Sequence, residues 1–163
     1  MMSDIENRRS GSIKNAVIAV AGMGKRLGFG IPKCLIKVCG RTLLEYQLAL
    51  LENVENVFLV VGFRENDVID QARKLRRDLI IVRNAEFLHT KMLESFYCAA
   101  RNIEGNAIFM AGDMIVEPES FAKFLDAVRF YGDEITIAVS ERISDEPVYA
   151  LKAETQGGGI MIL

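Results

Sequence analysis

The run Ala16-Val17-Ile18-Ala19-Val20-Ala21 is apolar throughout and breaks into Gly22-Met23-Gly24-Lys25-Arg26-Leu27-Gly28-Phe29-Gly30-Ile31-Pro32-Lys33, and it constrains this chain more than any other stretch. A continuous apolar run rich in β-branched residues fits a strand covered on both faces, the situation of a strand inside a parallel sheet. The loop leaving its carboxyl end carries four glycines and the cations Lys25, Arg26 and Lys33. Glycines turn through positive φ and let backbone N–H groups approach an anion, and the cations add charge that a nest of amides lacks. A bound polyphosphate suits such a loop. An ordinary Gly-rich βα turn with a solvated basic edge is the plainer alternative.

Further along, strands and helices alternate. Thr42-Leu43-Leu44-Glu45 predicts a capping box and a helix from Leu43, with Leu44, Leu48 and Leu51 as one apolar stripe. Asn56 to Val61 reads as a second strand stopped by Gly62, and Arg64 to Arg76 as a helix burying Val68, Ile69, Ala72 and Leu75. A third strand, Leu79 to Val82, leads through a polar loop, Asn84 to Lys91, to a helix from Met92. That helix is expected to bury Leu93, Phe96, Tyr97 and Ala100. Asn106 to Ala111 is the fourth strand and ends in Gly112-Asp113, where open α/β sheets place their ligands. Pro118 opens a helix with Phe121, Phe124, Leu125 and Val128 as its buried stripe, and Glu134 to Val139 is a fifth strand. Val148 to Ala153 and Ile160 to Leu163 suit a short hairpin, after which the chain stops in apolar sequence. The alternation predicts a three-layer α/β domain with a mostly parallel sheet over residues 14–163, preceded by a flexible arm, 1–13.

Composition narrows the functional classes. A chain of 163 residues with net charge -2 has no general basic field, which disfavours nucleic acid as a partner. No uncharged apolar run reaches the roughly 18 residues of a membrane span, and the polar start lacks a secretory core, so a cytoplasmic location is expected. Cys34, Cys39 and Cys98 are odd in number without metal-ligand spacing and read as reduced thiols. The single His89 reads as a loop histidine before a catalytic base. The apolar end Ile160 to Leu163 suggests self-association into a homo-oligomer.

Three phosphate loops compete for the glycine stretch. Walker A needs GxxxxGK[ST], but Gly24-Lys25 is followed by Arg26 and has no glycine at the required place before it. The dinucleotide fingerprint GxGxxG fails because Gly22, Gly24 and Gly28 give GxGxxxG, and no acidic residue for a ribose follows the second strand. Ala21-Gly22-Met23-Gly24-Lys25-Arg26-Leu27-Gly28 with Pro32-Lys33 resembles instead the sugar-phosphate nucleotidyltransferases, a GT-A-like, Rossmann-like family that joins a nucleoside triphosphate to a phosphorylated sugar or alcohol. The resemblance continues through Gly40-Arg41-Thr42-Leu43-Leu44, Val60-Val61-Gly62-Phe63, Asn84, Ser95 and Gly112-Asp113. From Asn84 to Ala99 it is closest to the branch handling CTP with inositol phosphate or phosphocholine.

The resemblance implies a nucleotidyltransferase that moves a nucleoside monophosphate from an NTP, CTP favoured, to a phosphorylated sugar, polyol or choline, releasing pyrophosphate. Arg26 and Lys33 are the implied catalytic cations, and Ala21, Gly22, Met23, Gly24, Lys25 and Gly112 line the nucleotide, Lys25 being equally suited to a solvated role. Asn84 and Ser95 suit either the base pocket or loop capping. Asp113 is the implied Mg²⁺ ligand, or a plain strand-end turn residue. The resemblance covers about residues 15–140. The family's C-terminal part, with its second acidic ligand, is not matched, the closing segment offering only Glu154. The chain is therefore expected to be C-terminally truncated relative to the family, and a nucleotide-binding module working through a partner or a second copy is the alternative.

Overall fold

Asn15–Ala19 (β1), Asn56–Val61 (β4), Ile80–Arg83 (β5) and Ala107–Ala111 (β6) are short, mostly apolar runs, and they pair in parallel in the order β5-β4-β1-β6. The computed structural model describes residues 13–24, 30–131, 136, 138–139 and 161–162. Ile13–Val116 forms one compact unit, and the described residues that follow belong to a second. The expected arm, most of the expected hairpin, and Lys25 and Arg26 lie outside the described residues.

Parallel register puts Val17 beside Phe58 on one side and Phe109 on the other. Side chains alternate between the two faces of a strand, so Val17, Phe58 and Val60 share a face. The helix Met92–Ala100 (α3) covers that face through Ala99 and Phe96, the latter meeting Phe109 edge-on at 5.3 Å. Ala16, Ile18, Val57, Leu59, Val61, Ile108 and Met110 point the other way and are also buried. The helices Leu43–Leu50 (α1) and Glu65–Leu75 (α2) contact each other, and α2 contacts β4. They contribute Leu44, Leu48, Val68, Ile69 and Ala72 to the buried set. Helices on both sheet faces make this a three-layer, Rossmann-like α/β arrangement.

Local chemistry sets the element boundaries. A 3₁₀ turn, Lys33–Leu35, follows Pro32 and leads to Lys37–Val38 (β2), which pairs antiparallel with Arg41–Thr42 (β3). The two residues between them, Cys39 and Gly40, both have positive φ, 49° and 82°, as a tight hairpin turn demands. Thr42 then caps α1: the Glu45 N–H donates to its hydroxyl at 3.1 Å, and the Glu45 carboxylate accepts from the Thr42 N–H. At the amino end of the sheet Asn15 Nδ2 donates to the carbonyls of Glu104 and Asn106, while its Oδ1 accepts from Asn56. The Arg76 guanidinium, beyond α2, donates to the carbonyls of Leu51 and Val54 and to Asp78.

Two expected helix faces differ from those observed. Leu93 and Tyr97 are 75% and 67% exposed, while Ser95 and Ala99 are buried in their place. Small residues let α3 close onto the sheet, and Ser95 brings a hydrogen-bond partner with it. Leu75 is 39% exposed, since Arg76 leaves helical geometry immediately after it. In the second unit Pro118–Tyr131 (α4) begins at Pro118 as expected, with Phe121 stacked on Phe124 at 6.4 Å. Ala138–Val139 (β7) pairs in parallel with Met161–Ile162 (β8).

Candidate functional site

The chain crosses from β1 to β4 on one side and reaches β6 on the other, so strand order reverses at β1. The carboxyl ends of β1 and β6 therefore flank a topological switch point, the place where open α/β sheets bind ligands. A cleft of about 320 Å³ opens there. Ala21, Gly22 and Gly24 line it from β1, Gly112 and Asp113 from β6, Lys33 from the 3₁₀ turn, and Phe87, Thr90, Lys91, Met92 and Ser95 from the far side.

Lys33 and Asp113, eighty positions apart, meet across this cleft, with Nζ donating to Oδ2 at 2.8 Å. Their side chains are 28% and 44% exposed, so both remain open to water and to a ligand. Gly24 makes the approach possible. Its φ of +59° favours glycine, and a Cβ there would sit 2.7 Å from Lys33 Cγ, in the path of the lysine stem. Gly112 is required by closeness alone: a Cβ would fall 2.4 Å from Val20 Cγ1 and 2.6 Å from the Ala19 carbonyl oxygen, to which Gly112 N–H donates. Gly22 is different. Its φ lies outside the left-handed range, and a Cβ would meet nothing within 4 Å among the described residues, so neither strain nor crowding explains the glycine.

Asn84 and Ser95 form one buried polar unit. Asn84 Nδ2 donates to Thr90 Oγ1 at 2.8 Å and to Ser95 Oγ at 3.0 Å, and Asn84 Oδ1 accepts from Glu86 N–H. Asn84 thus shapes the loop before α3, while Ser95 and Thr90 face the cleft. Gly62 supports the same wall, because a Cβ there would lie 2.8 Å from Phe87 and 3.0 Å from Ala21 Cβ. Arg64, in left-handed geometry at φ 48°, donates from Nη1 to the Gly30 carbonyl at 2.8 Å and ties down the end of the glycine stretch. Cys34 borders the cleft, but burial pushes its thiol up to about 12, which keeps it protonated and unreactive.

Gly22, Met23, Gly24, Lys33, Gly112, Asp113 and Ser95 thus come together around or beside one cleft, with Asn84 behind its wall. The sequence reading missed Gln47, which is fully buried on α1 and donates to the Ala111 and Met114 carbonyls at 2.6 and 3.0 Å. A signal was there: Leu44, Gln47, Leu48 and Leu51 fall at i, i+3, i+4 and i+7, so one polar residue stands in an apolar stripe. Among the described residues no three His, Cys, Asp or Glu side chains converge on a metal position, and no helix is long and apolar enough to cross a membrane.

A parallel sheet with glycines, a lysine and an aspartate at its switch point is the class of open α/β domain that places ligands at the carboxyl ends of its strands. The chain belongs to the MobA-like NTP transferase domain family, which it matches over residues 16–156. It is 30% identical over 148 residues to the 2-C-methyl-D-erythritol 4-phosphate cytidylyltransferase of Petrotoga mobilis, covering 90% of this chain and 56% of that protein. It is 29% identical over 116 residues to the bifunctional protein GlmU of Limosilactobacillus reuteri, covering 69% of this chain and 25% of that one. The chain thus spans about a quarter to just over half the length of these relatives. The inositol-1-phosphate CTP transferase from T. maritima shares the fold with a TM-score of 0.63 at 22% identity, over 81% of this chain and 55% of that one.

Proposed function

We propose that this chain binds a nucleoside triphosphate, CTP in preference, and transfers its nucleoside monophosphate to a phosphorylated sugar, polyol or choline with release of pyrophosphate. The observation that carries the reading is the Lys33–Asp113 pair, a cation and an anion held 2.8 Å apart in an open cleft between glycines. Among the described residues nothing crowds the space above Gly22, which suits a phosphate seated against the backbone there. The preference for CTP rests on the resemblance from Asn84 to Ala99 and on the cytidylyltransferase named among the relatives.

In such a transfer an oxygen of the acceptor phosphate forms a bond to the α-phosphorus, and the bond from that phosphorus to the bridging oxygen breaks. The electron pair leaves with pyrophosphate. The nucleophile is already an anion, so no general base is needed, and the protein's task is to position the reactants and screen their charges. Lys33 supplies a movable ammonium for the triphosphate, and the amides of Gly22 to Gly24 cradle it. Arg26, outside the described residues, is assigned the developing charge on pyrophosphate, and Lys25 a supporting contact. Ser95, whose oxygen accepts from Asn84, keeps a hydroxyl proton for a base acceptor.

Asp113 is a half-exposed carboxylate whose one side-chain partner among the described residues is Lys33. Such a group suits Mg²⁺, which is bound by one or two carboxylates together with substrate phosphates and keeps several waters. When bound, the ion would neutralise the phosphate oxygens as charge shifts to the leaving group. Titration of the four NTPs with Mg²⁺ tests the binding. Phosphorus NMR with inositol phosphate, phosphocholine and hexose phosphates then tests the transfer, where pyrophosphate together with a new nucleoside diphosphate linkage is the expected outcome. Absence of binding by every NTP would refute the reading.

A further inference from the structure

We propose that Gln47 is a positioning residue for the Asp113 carboxylate, and that α1 sets the spacing between the site's anion and its cation. The inference rests on the reading of Asp113 as the Mg²⁺ ligand. Gln47 occupies a place in the buried stripe of α1 where packing alone calls for an apolar side chain. Its Nε2 instead spends both protons on one turn, on the carbonyls of Ala111 at 2.6 Å and Met114 at 3.0 Å. Those two residues bracket Gly112 and Asp113. Two carbonyl acceptors settle the amide's orientation, because only its nitrogen end donates.

The same helix holds the other half of the site. Leu43 N–H, at the first residue of α1, donates to the Ile36 carbonyl at 3.0 Å, and Ile36 N–H donates to the Lys33 carbonyl at 3.0 Å. The 3₁₀ turn carrying Lys33 also packs on α1. One helical turn therefore separates the attachment that fixes the lysine from the side chain that fixes the aspartate. An apolar residue of similar volume would fill Gln47's space and release the Asp113 turn. Gln47 does not touch the Asp113 carboxylate; it orients the ligand through the backbone on either side of it.

The test compares the unsubstituted chain, Gln47→Met and Asp113→Asn by calorimetric titration of CTP, first in EDTA and then with increasing Mg²⁺. Inorganic triphosphate in parallel removes any dependence on the base. Loss of a group bonded directly to a metal ligand typically costs about 10-fold to 100-fold in metal affinity; Gln47 holds the backbone on either side of Asp113 and not its carboxylate, so Gln47→Met should lower apparent Mg²⁺ affinity by about 10-fold, the low end of that range. Its affinity for CTP in EDTA should change by less than about threefold, because the glycine loop and the backbone attachment of Lys33 to α1 through Ile36 and Leu43 remain. Asp113→Asn should lose the Mg²⁺ response. A Gln47→Met protein with unchanged Mg²⁺ affinity, beside an Asp113→Asn protein that has lost it, overturns the role of Gln47 and leaves Asp113 as ligand. Unchanged Mg²⁺ affinity in both overturns the Asp113 reading and this inference with it. If Gln47→Met does not fold, the side-chain amide NMR signal of Gln47 in the unsubstituted chain decides. It should shift when Mg²⁺ joins the CTP complex and stay fixed in Asp113→Asn, and a signal indifferent to Mg²⁺ in the unsubstituted chain overturns the inference.

Discussion

Replacing Lys33 by methionine removes the ammonium while keeping a stem that crosses Gly24. Its effects on stability and on binding should separate. The Lys33–Asp113 pair is 2.8 Å long, but its side chains are 28% and 44% exposed, so water and salt screen it. Exposed pairs of this kind contribute about 0.2–1 kcal/mol. For a chain of this size that corresponds to a fall of about 4 °C or less in Tm. Asp113 left alone remains solvated, so no buried charge is stranded. The triphosphate, in contrast, loses a charge-assisted hydrogen bond of about 1.5–3 kcal/mol, a weakening of about 10-fold to 150-fold. Calorimetric titration with CTP and Mg²⁺, alongside differential scanning fluorimetry, reads both quantities. A folded Lys33→Met protein that binds CTP within about threefold of the unsubstituted chain would refute the assignment of Lys33.

Other consequences concern the frame. Gly112→Ala forces a Cβ to 2.4 Å from Val20 Cγ1 and against the β1 backbone. Overpacking of this kind costs about 1–3 kcal/mol, so Tm should fall by several degrees, and by the site's construction nucleotide affinity should fall with it. An alanine variant with unchanged Tm contradicts the packing described. Hydrogen bonds from the Thr42 backbone N–H and hydroxyl hold the Glu45 carboxyl below its ordinary value of 4.5. A carboxyl depressed on folding stabilises above its unfolded value, and that contribution disappears as pH falls from about 4.5 through the lower folded value. Glu45→Gln should remove this part of the acid dependence in urea titrations at a series of pH values, and an unaltered profile counts against the cap. Burial holds the Cys34 thiol at about 12, so alkylation at neutral pH should label the exposed Cys39 and spare Cys34 until the chain unfolds. Equal labelling of the two in the folded protein would contradict that burial.

What the sequence revealed of the fold divides along a physical line. Asn56–Val61 and the Thr42 capping box are local statements: six apolar-leaning residues ended by glycine, and a hydroxyl with a carboxylate three positions on. Both have the predicted bounds. The buried face of α3 is not local. Leu93 and Tyr97 carry the apolar periodicity, but contact with the sheet selects Ser95 and Ala99, because small side chains allow closer approach and Asn84 satisfies the serine. In the site, Gly112-Asp113 was legible from the rule that ligands gather at carboxyl ends of parallel strands, which needs only strand order. The meeting of Asp113 with Lys33 depends on how the chain between them crosses the sheet. Gly62 was readable as a strand stop, yet its closeness to Phe87 belongs to a loop more than twenty residues later. Gln47 was visible as a polar break in an apolar stripe, but its acceptors lie on a strand end that no periodicity in α1 could point to.

The claim that the β1–β6 switch point is the nucleotide site is tested most directly by following backbone amide NMR signals as Mg²⁺ and CTP are added to the full chain. The largest shifts are predicted at Gly22, Met23, Gly24, Gly112 and Asp113. Shifts confined to the separate groove beside Arg41, Glu52 and Arg76, or no shifts at millimolar nucleotide, would contradict it.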